Sequence, residues 1–436
     1  MIARGRRALA SLFCLFLVAG ILVLAAGGAL AKTKIQVALR FGSVEQWNGV
    51  FVEIANEYMR RNPDVEIELL ANWNDDKIFT AAAGGVLPDI INGSGASERH
   101  REILLPLDEL MERAGIKPED FLPGALAQMR QLGQIWTLQY IIDPNFPLIY
   151  NKTLFMEAGL DPERPPATVQ ELDEVYAKLV RRDAQGLLTQ IPIVPWNDLS
   201  PAQAAASWGR AFGAYEWEGS DAEGRFTLTS DRWLAMFEWM KSYYNQYHGD
   251  YAGSIMGRGG SSGARDRMRA GQQAMMYWVT SEFNNLRETA PMYEFGVAPP
   301  IYEEEYGLRY PFWWGGHRMG VTRTSKNPEI AFDFLAFLAT SPEAQIILAR
   351  NADLLPATVG SPGFQEIIQK TPEFAPVIYA IQGTVTSPPN YFLSAGPDWT
   401  TVFRRIFDQG ESPQAVLAQE QERLEALARE AGVIIR

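Results

Sequence analysis

Apolar and polar positions alternate through Ile35-Gln36-Val37-Ala38-Leu39, the period-two pattern of a strand. Phe51, Ile54, Ala55, Tyr58 and Met59 then recur at helical spacing and share one face. Asn62-Pro63 stops that helix. Val65, Ile67 and Leu69 alternate with Glu66 and Glu68 and predict a second strand. A helical stretch over 75–83 ends at Gly84-Gly85, and Asp89-Ile90-Ile91 after Pro88 reads as a third strand. Strand–helix–strand–helix–strand predicts an α/β fold built on a parallel, doubly wound sheet. Later helices announce themselves by their caps. Ser230 precedes the stripe Trp233, Met236, Phe237 and Met240, and Asn327-Pro328 precedes Ala331, Phe332, Phe334, Leu335 and Leu338. Ser341-Pro342 and Ser412-Pro413 repeat the device, and the last helix stops at Gly432.

The N-terminus follows a different rule. Arg4, Arg6 and Arg7 precede an apolar stretch from Ala8 to about Ala26, and Ala29-Leu30-Ala31 supplies small residues before the chain turns polar at Lys32. This is the layout of a secretory signal peptide, residues 1–31, with cleavage after Ala31. A retained anchor is the competing reading, since 8–31 could span a bilayer. The missing lipid-attachment cysteine favours a free periplasmic protein, because Cys14, the sole cysteine, lies inside the apolar stretch.

Composition then excludes several classes. The chain carries 39 basic against 52 acidic residues, and loss of the leader leaves 36 against 52, a net −16. Such a chain is ill suited to holding nucleic acid through its phosphates. One cysteine forbids an internal disulfide, and three histidines leave little for a zinc site, so no cofactor or metal is expected.

Several segments, taken in order, resemble the extracellular solute-binding proteins of bacterial ABC importers, in the sugar-binding, maltose-binding-protein-like group. They are FVEIANEYMRRNPDVEIEL at Phe51–Leu69, AAAGGVLPDII at Ala81–Ile91, IWTLQYIIDPNFPLIYNKTLFMEAG at Ile135–Gly159, Pro165–Leu179 (with Val169 where a Trp is usual), Gly271–Met276 and Gly316–Leu338. The resemblance spans essentially all of 33–430. It implies a two-lobed, hinged fold, each lobe a doubly wound mixed sheet with flanking helices. Lobe 1 would hold 33–138 and 316–350, lobe 2 would hold 144–312 and 356–436, and hinge crossings would fall near 139–143 and 311–315. It further implies a monomer that captures a carbohydrate between its lobes and delivers it to the permease subunits of an ABC transporter.

Ligands of open α/β sheets sit at the carboxyl ends of strands. Aromatic rings there can stack on sugar rings while polar groups pair with hydroxyls. Trp47 follows the first strand; Trp73, Asn74 and Asp75 follow the second; Asn92 and Ser94 follow the third. Trp196 and Asn197 sit in a proline-bounded loop. By the resemblance, Tyr140 marks the first crossing and Trp313, Trp314 and Gly315 the second. Trp399 takes the place of a sugar-stacking tryptophan, and Trp278 lies near another aromatic position of the group. For every tryptophan, core packing is the competing role.

Two other ligands and one other activity fit the residues less well. A polyamine would need convergent carboxylates around aromatics. A phosphorylated polyol would need arginines, and Arg40 and Arg318 flank the expected cleft. A secreted carbohydrate-active hydrolase would need a pair of carboxylates that no local pattern proposes. Gly259-Gly260-Ser261-Ser262-Gly263 fits G-x-S-x-G only formally, with no buried strand before it.

Overall fold

A strand is defined by where its alternate side chains go, and here both faces find cover. In the computed structural model, which describes residues 32–45, 49–93, 98–219, 223–253, 260–306, 309, 313–383, 396–430 and 433–436, the strands that build the two lobes are, in chain order, β1 (Thr33–Ala38), β2 (Val65–Leu70), β3 (Ile90–Asn92), β4 (Leu138–Asn145), β5 (Leu148–Asn151), β6 (Met275–Tyr277), β7 (Phe295–Ala298), β8 (Trp313–Val321) and β9 (Leu355–Pro356). The signal-peptide segment 1–31 lies outside the described residues.

The first sheet has the order β9-β4-β8-β3-β1-β2. As the alternation predicts, β1 runs parallel to β2, with Thr33 opposite Val65 through Ala38 opposite Leu70, and parallel to β3. β8 is antiparallel to β3 and to β4, which makes the sheet mixed. Ile35 and Val37 enter the main core, while Ala38 faces a smaller cluster with Ile78, Ile91, Leu104 and Trp136. The helix Val50–Arg61 buries Phe51, Ile54, Ala55 and Tyr58, the expected stripe, and Tyr58 donates to Asp333 at 2.7 Å. That bond ties it to the apolar helix Pro328–Thr340.

The second sheet, β6-β5-β7, is antiparallel and covered on both faces. Leu148 and Tyr150 of β5 point into a core shared with the helices Val169–Leu179, Pro201–Ala211, Asp231–Gly253 and Pro413–Glu430. Ile149 points the other way, toward the helices Gly260–Arg269 and Thr280–Thr289.

Two boundaries differ from those the resemblance implies. β4 and β8 form one continuous ladder from Leu138↔Met319 to Asn145↔Trp313, and β9 pairs with Ile141 and Ile142. Residues 139–142 are therefore inside the first sheet, and the crossing shifts to 143–147. The two crossings are hydrogen-bonded to each other as an antiparallel ribbon. The helix Pro362–Lys370 packs on Pro342–Ala352 of lobe 1. Ser361 donates to Gln345, Arg350 pairs with Glu366, and a Cβ on Gly363 would touch Gln345 O at 2.8 Å. The chain re-enters lobe 2 only at Pro372–Phe374, which makes a third crossing.

Candidate functional site

The carboxyl ends of β1 and β3 meet the middle of β8 at a polar corner just below the crossing ribbon. Arg40, Trp73, Asp75, Asn92, Gly93, His100, Gly316, His317 and Arg318 line a cavity of about 150 Å³ there. All of them belong to lobe 1.

Local irregularity in the β4–β8 pair shapes the corner. Successive strand residues normally face opposite sides of a sheet. Between His317↔Ile141 and Arg318↔Gln139 the ladder skips Tyr140, so β4 carries the extra residue of a bulge, and His317 and Arg318 both border the cavity beside it. Gly316, one residue before the slip, takes a conformation that suits glycine. Its φ is +115°, and a Cβ there would lie 2.2 Å from Ile141 O. The fully buried Gln139 spans the irregular step, donating from Nε2 to Ile141 O (3.1 Å) and to Gly315 O (2.7 Å). On the neighbouring strand, the Asn92 amide is oriented so that its oxygen accepts from Arg40 N–H at 3.1 Å and its nitrogen donates to Arg318 O at 3.3 Å. The opposite orientation would set its oxygen against carbonyls. Asn92 thus bridges the backbone at Arg40, just beyond β1, to β8 at Arg318.

The corner is electropositive. Burial, with Arg40 and Arg318 nearby, holds the His317 imidazole down to about 4. Burial and then Arg40 push the Arg318 guanidinium down to about 10, and its Nε is shielded from solvent. His100 is lowered by burial, opposed by Asp75 and assisted by Arg318 and Arg99. The one acid on this lining, Asp75, lies 3.8 Å from His100 Nε2. It also opens the helix Asp75–Ala83, whose positive end its charge complements.

Of the residues singled out in the sequence, Trp73, Asp75 and Asn92 come together here. Trp73 is half-buried, with Lys77 Nζ 4.4 Å from its ring centre. Asn74 stands beside the cavity but works as the N-cap, accepting from Lys77 N–H at 3.0 Å. Gly315 contributes backbone, its carbonyl held by Gln139.

Others pack elsewhere. Tyr140 is fully buried against Phe51, rings 5.8 Å apart, because its strand lies inside the sheet. Trp399 is 5% exposed and packs on Trp233, with centroids 4.8 Å apart in the lobe 2 core. Trp196 is buried edge-on to Tyr244. Asn197, beside it, is half-buried on a turn held by Asp198, which accepts from Val194 N–H, Arg267 and Gln273. Trp278 stacks on Phe146 of the crossing at 5.3 Å, with the Arg265 guanidinium 5.5 Å from its ring centre. Trp313 and Trp314 lie on the crossing ribbon opposite Asn145 and Pro144, and their side chains lie outside the described residues. Trp47 and Ser94 also lie outside them.

Sequence reading put no function on His100 or His317. The signal near His317 was the Gly315-Gly316 pair inside a strand pattern, which marks a close approach of backbone. His100 comes from the helix Glu98–Ile103 that follows β3, with no local sign of its role.

The model of the bacterial extracellular solute-binding protein family matches residues 53–376. The sn-glycerol-3-phosphate-binding periplasmic protein of Salmonella paratyphi A is 26% identical over 299 residues. That match covers 64% of this chain and 63% of the relative, just under two thirds of its length. Among solved structures, CpMnBP1 with mannotriose bound superposes with a TM-score of 0.69 at 24% identity, over 90% of this chain and 99% of that one. UgpB from Mycobacterium tuberculosis in complex with glycerophosphocholine gives 0.70 at 18% identity, over 92% and 99%.

Proposed function

Because the chain belongs to the bacterial extracellular solute-binding proteins, we propose that it is the exported receptor of an ABC importer, taking a hydroxyl-rich solute of the carbohydrate class into the gap between its lobes. The supporting observation is the corner itself. It is a polar recess at strand ends, where α/β sheets bind ligands, directly below the paired crossings that would act as hinge. Its volume of about 150 Å³ suits one wall of a cleft rather than a whole oligosaccharide site. Lobe 2 would supply the other wall, with Asn197 and the ribbon residues Trp313 and Trp314 at its edge. Relatives whose names specify glycerol phosphate and whose structures hold mannotriose or glycerophosphocholine fit a polyol or sugar ligand.

The work of such a receptor is binding and release, with no bond made or broken. Open lobes admit the solute, contacts from both then stabilise the closed form, and the closed form docks on the permease. The reading includes cleavage after Ala31, a periplasmic location and action as a monomer. A polyamine fits poorly, because this lining presents two guanidiniums to one carboxylate. A glycosidase needs paired carboxylates, and Asp75 is the only acid lining the recess.

The test is a thermal-shift screen of the mature protein against sugars, sugar phosphates and polyamines, together with mass spectrometry of any solute that co-purifies. Binding of the native state raises the melting temperature. Stabilisation by a sugar or polyol derivative, recovered unchanged, is the expected result. Steady turnover of a glycoside would replace this reading with an enzymatic one.

A further inference from the structure

We propose that the buried cluster of Asp198, Arg267 and Gln273 is a positioning device of lobe 2, which fixes the turn 194–198 against the end of β6 and so presents the Asn197 amide to the solute. The inference rests on the cleft reading above and names the part of lobe 2 that forms the other wall.

The first support is location. Residues 191–192 run parallel to 272–275, where the N–H groups of Ala274 and Met275 both donate to Pro192 O, at 3.2 and 2.8 Å. The turn that follows therefore lies toward the carboxyl end of β6. At that end Trp278 stacks on Phe146 of the first crossing, and its backbone N–H donates to Pro147 O at 3.4 Å. This is the end of the second sheet nearest lobe 1. The second support is exposure. Every residue of 191–199 is buried except Asn197, which is half-buried. Ser200 then fixes the chain as the cap of the helix Pro201–Ala211. A sealed segment thus opens at one amide, a group that both donates and accepts and so matches the hydroxyls of a neutral solute.

The third support is construction. Val194 N–H donates to Asp198 Oδ2 at 2.8 Å, while the N–H groups of Asn197 and Asp198 donate to Val194 O at 3.0 and 2.9 Å. The turn is closed from both ends. Arg267 donates to Asp198 Oδ1 at 2.7 Å, and its Nε donates to Gln273 Oε1 at 2.8 Å. Gln273 Nε2 donates to Asp198 Oδ2 and to Met275 O, each at 2.7 Å, and so joins the turn to β6. Asp198 and Arg267 are only 4% and 3% exposed where the chain buries them. Such a pair adds little net stability over an apolar core, and losing one partner is costly. What the cluster supplies is a single geometry, and that geometry ends at the one accessible side chain of the segment.

The experiment uses the mature chain and the variants Asp198→Asn, Gln273→Met and Asn197→Ala. Should Asp198→Asn fail to fold, Gln273→Met decides alone, because it keeps the Asp198–Arg267 pair and cuts the tie to β6. Hydrogen exchange is read at the amides of Val194, Asn197, Asp198 and Met275. Both network variants are expected to speed exchange there and to leave the helix Pro413–Glu430 as it was. Affinity is read by calorimetry with whichever of mannotriose, maltotriose and glycerophosphocholine most raises the melting temperature of the wild type. Gln273→Met and Asn197→Ala are each expected to weaken that binding about tenfold, the scale of coupling between neighbouring groups. Combined, their losses should not add, since a misplaced turn costs nothing once its amide is gone. Folded network variants with wild-type affinity overturn the inference and leave the receptor reading intact. Additive losses also overturn it, because the cluster then acts through another contact, as does unchanged exchange at all four amides. If none of the three probes binds, the wider metabolite screen supplies one, and an empty screen removes the receptor reading and this inference together.

Discussion

At the scale of single residues, Gly316 and His317 carry most of the meaning. Gly316→Ala places a methyl 2.2 Å from Ile141 O at a φ that side chains rarely adopt. It should cost at least about 2 kcal/mol of stability, read from urea unfolding, because neither strand can retreat without breaking the ladder. His317 makes a pH prediction. Its folded value of about 4 lies below the 6.5 of an ordinary imidazole, so between these limits the unfolded chain binds the extra proton. The stability linked to neutral His317 is complete above pH 6.5 and is lost as pH falls toward 4. His317→Gln should flatten that part of the unfolding free energy against pH, by at most about 3 kcal/mol. An unchanged slope would mean that another group governs the acid limb. Residues also show what sequence can and cannot tell. Trp73, Asp75 and Asn92 were legible because alternation stops where they stand, and strand ends are where such sheets bind. Trp196 and Trp399 were not, since stacking on a sugar and stacking on Tyr244 or Trp233 call for the same side chain.

At the scale of elements, the helix Asp75–Ala83 bears on the site through its first turn. Asn74 caps it and Asp75 opens it, and Lys77 lies over Trp73. If Asn74 is a cap rather than a ligand contact, Asn74→Ala should lower stability by about 1 kcal/mol, while Asn74→Ser should keep both stability and ligand affinity. Chemical denaturation and calorimetry on the pair separate the roles. A Ser variant that is stable yet loses affinity would return Asn74 to the site. Elements were also the scale at which the sequence spoke most clearly. The helix stripe from Phe51 and the strand character of β1, β2 and β3 both follow from periods that a single strand or helix imposes on its own residues. The placement of Pro362–Lys370 does not. Its apolar face fits either lobe, and the choice is made by Gln345 and Ala349, neighbours in space from another helix.

At the scale of the whole molecule, the crossings determine which motion is available. A two-stranded ribbon twists more readily than a wide sheet. Here the ribbon contains Pro144, which has no N–H to give the ladder, opposite Trp314, and Gly315. The third crossing is held by Phe283 on Phe374, rings 5.4 Å apart, and by Asn284 reaching Asp353 at 3.4 Å. With these contacts holding one edge, the proposed rotation of the lobes would open and close the side that carries the corner. A ligand drives this only through contacts it makes in the closed form and lacks in the open one. The corner is built from lobe 1 alone. A small solute confined to this corner should therefore bind without drawing the lobes together, whereas a solute long enough to reach lobe 2 should contract the molecule. Small-angle X-ray scattering at saturation reads the difference as a fall in radius of gyration for the second solute and none for the first. Contraction by the small solute alone would show that residues of lobe 2 share the corner, and a bound solute of any length that leaves the radius unchanged would rule out closure as the signal to the permease.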